Sequence, residues 1–255
     1  MTERNMDLQH KIAIITGGSG GLGMAAAKAF LAKGAKVAVF DLQEGDVKTL
    51  AEAHPGQIKY YETNVISEEN VATNIHQVVE DFGAIHVCIN CAGFGPSAKT
   101  YSSRKGPHPL DQFQNVINVN LVGTFNVLRL AVEKMSANEG EEKGVVINTA
   151  SVAYMDGQKG QAAYSASKAG IVGMTLPIAR DLAELGVRIN VIAPGLMGTP
   201  AMMAMPEDFR QGLERMVQYP KRLGQPEEFA LLATQIAENP YLNGETIRLD
   251  GAIRM

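Results

Sequence analysis

Thr16-Gly17-Gly18-Ser19-Gly20-Gly21-Leu22-Gly23 joins an apolar β-branched run, Lys11 to Thr16 (KIAIIT), to an alanine-rich segment, Leu22 to Lys33, that stops at Gly34. A strand, a glycine-rich turn and a helix in that order form the start of a dinucleotide-binding unit. The glycines serve a tight turn, the close approach of backbone to a pyrophosphate, and close packing of helix on strand, with the phosphates at the helix N-terminus. Two spacings are possible. Gly18, Gly20 and Gly23 satisfy G-x-G-x-x-G, whereas Gly17, Gly21 and Gly23 satisfy G-x-x-x-G-x-G. The sequence does not choose between them. Ser19 and Leu22 lie inside the same turn, so the whole of Gly17, Ser19, Gly20, Gly21, Leu22 and Gly23 is assigned to the cofactor.

The same alternation continues along the chain. Further apolar runs are Lys36 to Asp41 (KVAVFD), Ile58 to Glu62, Val87 to Asn90, Val145 to Thr149, Val187 to Ile192 and Thr246 to Leu249. Most are almost continuously apolar, as strands covered on both faces are. Helical patterns separate them: Ser67 to Phe82, opening on Ser67-Glu68-Glu69-Asn70 with acids in its first turn, then Leu110 to Met135, and Ala162 to Leu185 closing at Gly186. Strands that alternate with helices pair in parallel through right-handed crossovers. The expectation is an α/β fold, a single Rossmann-type domain over residues 1–255, with a doubly wound seven-stranded parallel sheet and helices on both faces. The irregular stretches Gly93 to Pro109 and Gly195 to Pro206 follow strand C-termini, where open α/β sheets bind ligands.

Composition narrows the function classes. In 255 residues, Lys and Arg number 23 and Asp and Glu 27, a net charge of −4 that argues against a broad nucleic-acid or anionic-membrane surface. No uninterrupted apolar run approaches the ~18 residues of a membrane span. Met1 to His10 carries Glu3, Arg4, Asp7 and Gln9 and has the character of neither a signal nor a transit peptide, so a cytoplasmic location is expected. Cys88-Ile89-Asn90-Cys91 is a C-x-x-C, but it lies in a strand-like run and has no second cysteine pair, so it is assigned to packing. His10, His54, His76, His86 and His108 show no ligand spacing, and no metal is expected.

The second strand ends in Asp41, whose carboxylate accepts hydrogen bonds from adenosine ribose hydroxyls and repels a 2′-phosphate; NAD is therefore favoured over NADP. Tyr164-Ser165-Ala166-Ser167-Lys168 places Tyr164 and Lys168 at i and i+4, on one face near the start of a long helix. A second Y-x-x-x-K, Tyr101 to Lys105, falls in an irregular stretch beside Gly106-Pro107. Ser151 stands just past the strand Val145 to Thr149, at the edge where the cofactor belongs. Free tyrosine, with a pKa near ~10, is a poor base at neutral pH, and a nearby ammonium favours its phenolate. Tyr164 then exchanges a proton with a substrate hydroxyl or carbonyl, Ser151 holds the same oxygen, and Lys168 tunes Tyr164 and binds the nicotinamide ribose.

Together these residues make the chain resemble the short-chain dehydrogenase/reductase family across nearly its whole length. The resemblance implies that Asn120, in Asn118-Val119-Asn120, is a fourth catalytic residue holding a water that links Lys168 to solvent. It further implies that Asn90, Cys91, Ala92 and Gly93 pack beside the cofactor, and that Asn64 and Val65 meet the adenine, with Asn64 standing where many members carry Asp. Pro194, Gly195, Leu196, Met197 and Thr199 are implied to meet the nicotinamide end. Gln161, Met202 and Met203 join Ser151 and Tyr164 as expected substrate contacts.

The blocks Gln161 to Lys168, Ala193 to Pro200 and Leu242 to Met255 are similar to the branch of that family that oxidises 3-hydroxyacyl-CoA thioesters with NAD. That similarity implies an acyl-CoA substrate and a homotetramer. The methionines Met197, Met202, Met203 and Met205 suit an adaptable lid over an acyl chain, and Lys99, Arg104 and Lys105 are candidates for coenzyme A phosphates. The alternatives are a 3-oxoacyl carrier-protein reductase, a secondary-alcohol or steroid dehydrogenase on the same machinery, and a silent dinucleotide-binding protein.

Overall fold

The computed structural model describes residues 6–254. Residues 1–5 of the stretch Met1 to His10, and Met255 of the last similarity block, lie outside the described residues. Seven strands form one parallel sheet: β1 (Ile12–Thr16), β2 (Lys36–Asp41), β3 (Ile58–Glu62), β4 (Val87–Asn90), β7 (Gly144–Thr149), β8 (Val187–Pro194) and β9 (Thr246–Leu249). Their spatial order is β3-β2-β1-β4-β7-β8-β9. The order reverses between β1 and β4, the switch point where such sheets bind ligands. The expected strands are all present, to within a residue or two at their ends.

Alternation along each strand divides the core in two. Ala13, Ile15, Val37, Val39, Ile89 and Ile147 face α1 (Gly21–Ala32), α2 (Val47–Ala53) and α10 (Pro226–Glu238). Ile14, Ala38, Phe40, Cys88, Val146 and Ile189 face α3 (Glu68–Phe82), α5 (Gly123–Met135) and α7 (Ala162–Leu182). A sheet covered on both sides explains strands with no polar face.

Several features differ from the sequence expectation: α2 was not anticipated, and a short helix at Pro200–Met203 falls within the stretch read as irregular. Helix α10 was not anticipated, although Pro226 opens it, Glu227 and Glu228 sit in its first turn, and Phe229, Ala230, Ala233, Ile236 and Ala237 are buried at helical spacing. Residues Tyr101–Ser102 (β5) and Gly106–Pro107 (β6) form a small antiparallel hairpin within the stretch read as irregular. The helix expected over Leu110 to Met135 is α4 (Leu110–Ile117), a π-helical turn at Asn118–Val122, and α5. That stretch is long and apolar enough to cross a membrane by composition, but half of it is buried against the protein, as a core helix is. The short helices α6 (Ala153–Asp156), α8 (Pro200–Met203) and α9 (Glu207–Glu214) complete the chain.

His86 precedes β4, and its Nδ1 accepts the Ile12 backbone N–H at 3.2 Å. Burial, with a smaller contribution from Lys11, pulls its pKa from 6.5 to about 4. The folded state therefore keeps His86 neutral while the unfolded chain takes up a proton, so this residue's contribution to stability is complete above pH ~6.5 and is lost as pH falls toward ~4. Urea unfolding at pH 7 and pH 5 should show His86→Gln losing less stability on acidification than the wild-type chain. Equal losses would remove His86 from the acid response.

Candidate active site

The glycine turn resolves its two spacings. Gly17 and Gly21 have positive φ, 63° and 50°. A Cβ on Gly17 would lie 2.8 Å from Ala92 N, and one on Gly23 would overlap the Gly17 carbonyl oxygen. Gly20 has extended backbone, φ −161°, and open space around its Cα. The constrained set is thus Gly17, Gly21 and Gly23. Gly18 is constrained from elsewhere, since a Cβ there would lie 2.9 Å from Val39 Cγ1.

The turn floors a crevice of about 720 Å³ at the switch point, lined by Gly17, Gly20, Gly21, Leu22 and Gly23, the end of β2 at Asp41, Asn64-Val65 and Cys91-Ala92-Gly93. Thr199 closes it, its Cγ2 opposite Gly21. Asp41 stands at the rim, its carboxylate accepting the Ser19 N–H at 3.0 Å and the Leu42 N–H at 2.8 Å. The Ser19 hydroxyl is buried with no hydrogen-bond partner. A helix N-terminus, a backbone cradle that a Cβ would fill, and a carboxylate at the far rim fit a nicotinamide dinucleotide.

Beyond the crevice lie the residues expected to act. Lys168, on α7, is buried, and its Nζ donates to the Thr149 carbonyl at 2.7 Å and lies 5.7 Å from the Tyr164 ring centroid. Burial lowers the Lys168 pKa to about 8. Burial raises that of Tyr164, and a hydrogen bond with Ser151 opposes the rise. Ser151 accepts the Ala153 N–H at 3.2 Å, which leaves its own proton free to donate. The π-turn, closed by the Gly123 N–H to the Asn118 carbonyl, carries Asn120 fully buried. Its side chain accepts from Phe94 N at 3.0 Å and donates to the Phe94 carbonyl at 2.8 Å and Ser167 Oγ at 3.0 Å. Asn120 thus brackets the loop after β4 to α7. That loop lies over the cluster: a Cβ on Gly93 would lie 3.5 Å from Lys168 Nζ, and one on Gly95 would lie 2.6 Å from the Tyr164 ring.

The second Y-x-x-x-K is not helical. Tyr101 is 67% exposed on the β5–β6 hairpin, with no alignment to Lys105. Lys99, Arg104 and Lys105 are exposed on and beside that hairpin. Several other expected positions face elsewhere. Asn90 is buried in the sheet, donating to Asn148 Oδ1 at 2.9 Å. Gly195 is packed under the C-terminal segment, where a Cβ would lie 2.9 Å from Asp250, and Pro194 ends β8 beside it. Met197 is buried against Gly224 and lines a separate small cavity of about 120 Å³ with Arg222 and Glu228. Gln161 precedes α7 and its Oε1 accepts the Gln158 N–H at 2.8 Å. Met202 is half-buried, and Met203 and Met205 are exposed.

Leu42, Thr63, Phe94 and Val119, with Pro200 and Ala201, also line the crevice and were not anticipated. Each adjoins a residue that was, so adjacency to a marked position is the signal that finds them. Cys91 lines the crevice with its Sγ 3.4 Å from Thr149 Oγ1, and burial pushes its thiol up to about 11 and that of Cys88 up to about 12. Neither is a thiolate at neutral pH. No grouping of His, Cys, Asp and Glu that could hold a metal occurs among the described residues.

A family profile described as short chain dehydrogenase matches residues 11–209. The chain is 51% identical over 248 residues to 3-hydroxyacyl-CoA dehydrogenase type-2 of Rattus norvegicus, covering 96% of this chain and 95% of that protein. It is 34% identical over 253 residues to the 3-oxoacyl-[acyl-carrier-protein] reductase FabG of Thermotoga maritima, covering 97% and 99%. The crystal structure of 3-hydroxyacyl-CoA dehydrogenase type-2 from Mycobacterium avium superposes with a TM-score of 0.92 at 38% identity, over 96% of both chains.

The two glycine spacings share Gly23 and differ at Gly20, which only the first requires. Gly23→Ala should destabilise the fold by about 3 kcal/mol and abolish dinucleotide binding, because its Cβ meets rigid backbone. Gly20→Ala should stay within about 0.5 kcal/mol of wild type and bind NADH normally. Thermal melts and NADH fluorescence check both; a Gly20→Ala variant as damaged as Gly23→Ala would contradict the assignment.

Proposed function

Because the chain belongs to the short-chain dehydrogenase/reductase family and is an oxidoreductase using a nicotinamide dinucleotide, we propose that its reaction interconverts 3-hydroxyacyl-CoA and 3-oxoacyl-CoA with NAD. The observation that carries the chemistry is the Ser151–Tyr164–Lys168 cluster beside the crevice, with Lys168 buried and Ser151 and Tyr164 half-buried. The half-identical relatives named for 3-hydroxyacyl-CoA support the substrate class. Asp41 at the rim supports NAD over NADP, its carboxylate already fixed by two backbone amides.

A nicotinamide dinucleotide held by the glycine turn, Asp41 and the Cys91-Ala92-Gly93 segment would supply hydride exchange and, when oxidised, one positive charge. In reduction, Tyr164 donates its phenolic proton to the carbonyl oxygen, and burial keeps that proton in place until it is needed. In oxidation, Tyr164 takes the proton from the substrate hydroxyl. Ser151 donates to the same oxygen, since its own acceptor position is held by Ala153 N. Lys168, charged below its pKa of about 8, favours the phenolate. Asn120 keeps loop and helix in register, so that Gly95 remains against the Tyr164 ring.

The proposal extends to a homotetramer in the cytoplasm. Large apolar side chains left exposed on α5 and α7, Phe125 and Leu176, support self-association, and two unpaired cysteines support a reducing compartment.

Steady-state kinetics with acetoacetyl-CoA, simple ketones and a carrier-protein thioester, each with NADH and NADPH, test the assignment. Acetoacetyl-CoA with NADH should give the highest kcat/KM; a wide margin for simple ketones, or for NADPH, would overturn the corresponding half. Tyr164→Phe should lower kcat by about 10³-fold while NADH binding is retained, and Tyr101→Phe should leave turnover intact. Inactivation by the Tyr101 change instead would reverse the choice between the two motifs.

A further inference from the structure

Beyond Glu62 the third strand ends, and the next residues form one wall of the crevice with backbone groups that no ladder partner satisfies in full. Three asparagine side chains answer them. Asn74 Nδ2 donates to the Glu62 carbonyl at 2.8 Å, and Asn70 Oδ1 accepts the Asn64 N–H at 2.7 Å. Both belong to α3, the next element in the chain. The third comes from further away: Asn126, on α5, donates through Nδ2 to the Val65 carbonyl at 2.9 Å.

Asn126 is buried, and its own orientation is fixed from the other side. Arg129 Nη2 donates to Asn126 Oδ1 at 2.8 Å and pairs with Glu68 Oε1 at 2.9 Å. One planar group therefore accepts from a guanidinium and donates to a carbonyl, which an amide does and a carboxylate does not. Packing acts in the same place, since a Cβ on Gly123 would lie 2.6 Å from Val65 Cγ2. The wall so held is specific in its location. Asp41 pairs in register with Glu62, so Asn64 and Val65 stand one strand further from the switch point than the carboxylate assigned to the adenosine ribose. A dinucleotide lying along the crevice presents its adenine there.

We propose that Asn126 is a positioning residue for the adenosine half of the cofactor, holding the Asn64-Val65 wall through the Val65 carbonyl. This rests on the dinucleotide assignment above. Asn126 touches neither the reacting atoms nor Tyr164, so its removal should change affinity at one end of the crevice and leave the chemistry alone.

Titration calorimetry with ADP-ribose, which carries the adenosine end and no nicotinamide, separates the possibilities. In both Asn126→Asp and Asn126→Ala the ADP-ribose Kd should rise by about fivefold or more, with the KM for NADH rising in parallel and kcat at saturating NADH within about twofold of wild type. Asn126→Asp keeps the shape and the Arg129 contact and sets a carboxylate oxygen against the Val65 carbonyl in place of the donor, so it carries the test should the alanine variant fail to fold. A smaller rise in Kd, or a fall in kcat that tracks a lowered melting temperature at unchanged Kd, would overturn the proposal. A wild-type chain that binds no ADP-ribose would instead remove the dinucleotide assignment, and this inference with it.

Discussion

The N-terminus of α1 lies directly on the backbone of the turn that precedes it, and no Cβ fits between them. Gly23 is pressed on the Gly17 carbonyl, and Gly17 in turn on the backbone of Cys91 and Ala92 after β4. Three chain segments thus meet at the switch point by backbone contact alone. The contact is reinforced by the Ala92 N–H to Thr16 Oγ1 at 3.1 Å, so the first and fourth strands end at a fixed separation. Everything downstream inherits that placement. The loop leaving Ala92 passes Gly93 and Gly95 over Lys168 and Tyr164, and Asn120 pins it at Phe94. Side chains at the glycine positions would not merely fill a pocket; they would separate the elements that make one.

How much of this was legible depended on whether the signal was local. Most of the strands were readable because burial on both faces leaves an almost unbroken apolar run, and the helices α1, α3 and α7 because a cap or a glycine bounds them. Tyr164 and Lys168 were separable from Tyr101 and Lys105 because only the first pair falls within a helical pattern, and the hairpin bears that out. The π-turn was not legible, since one wider turn leaves the apolar periodicity of α4 and α5 almost unchanged. Nor was the direction of Met197, whose neighbour Gly224 is distant in sequence. Asn126 carries no motif at all. Its meaning comes from the end of a strand about sixty residues earlier, a pairing that only the fold supplies.

The electrostatics of the cluster follow from the same close packing. Burial moves Lys168 down to about 8 and Tyr164 up, each toward its uncharged form. The movements are opposite in direction but leave the same species at neutral pH: both groups keep their protons, so Lys168 is an ammonium and Tyr164 a phenol. That is the state suited to giving a proton to a carbonyl. Taking one from an alcohol demands a phenolate, which the burial of Tyr164 opposes and the charges around it must supply. Lys168 provides one such charge, 5.7 Å from the ring centroid, and Ser151 a hydrogen bond. An ammonium held by the Thr149 carbonyl rather than by a carboxylate keeps its positive charge uncancelled. A carboxylate in Thr149's place would raise the pKa of Lys168 and neutralise its influence on Tyr164 together. The backbone carbonyl orients the ammonium while leaving its field to act on the phenol, which is the condition under which one tyrosine can serve both directions of a reversible reaction.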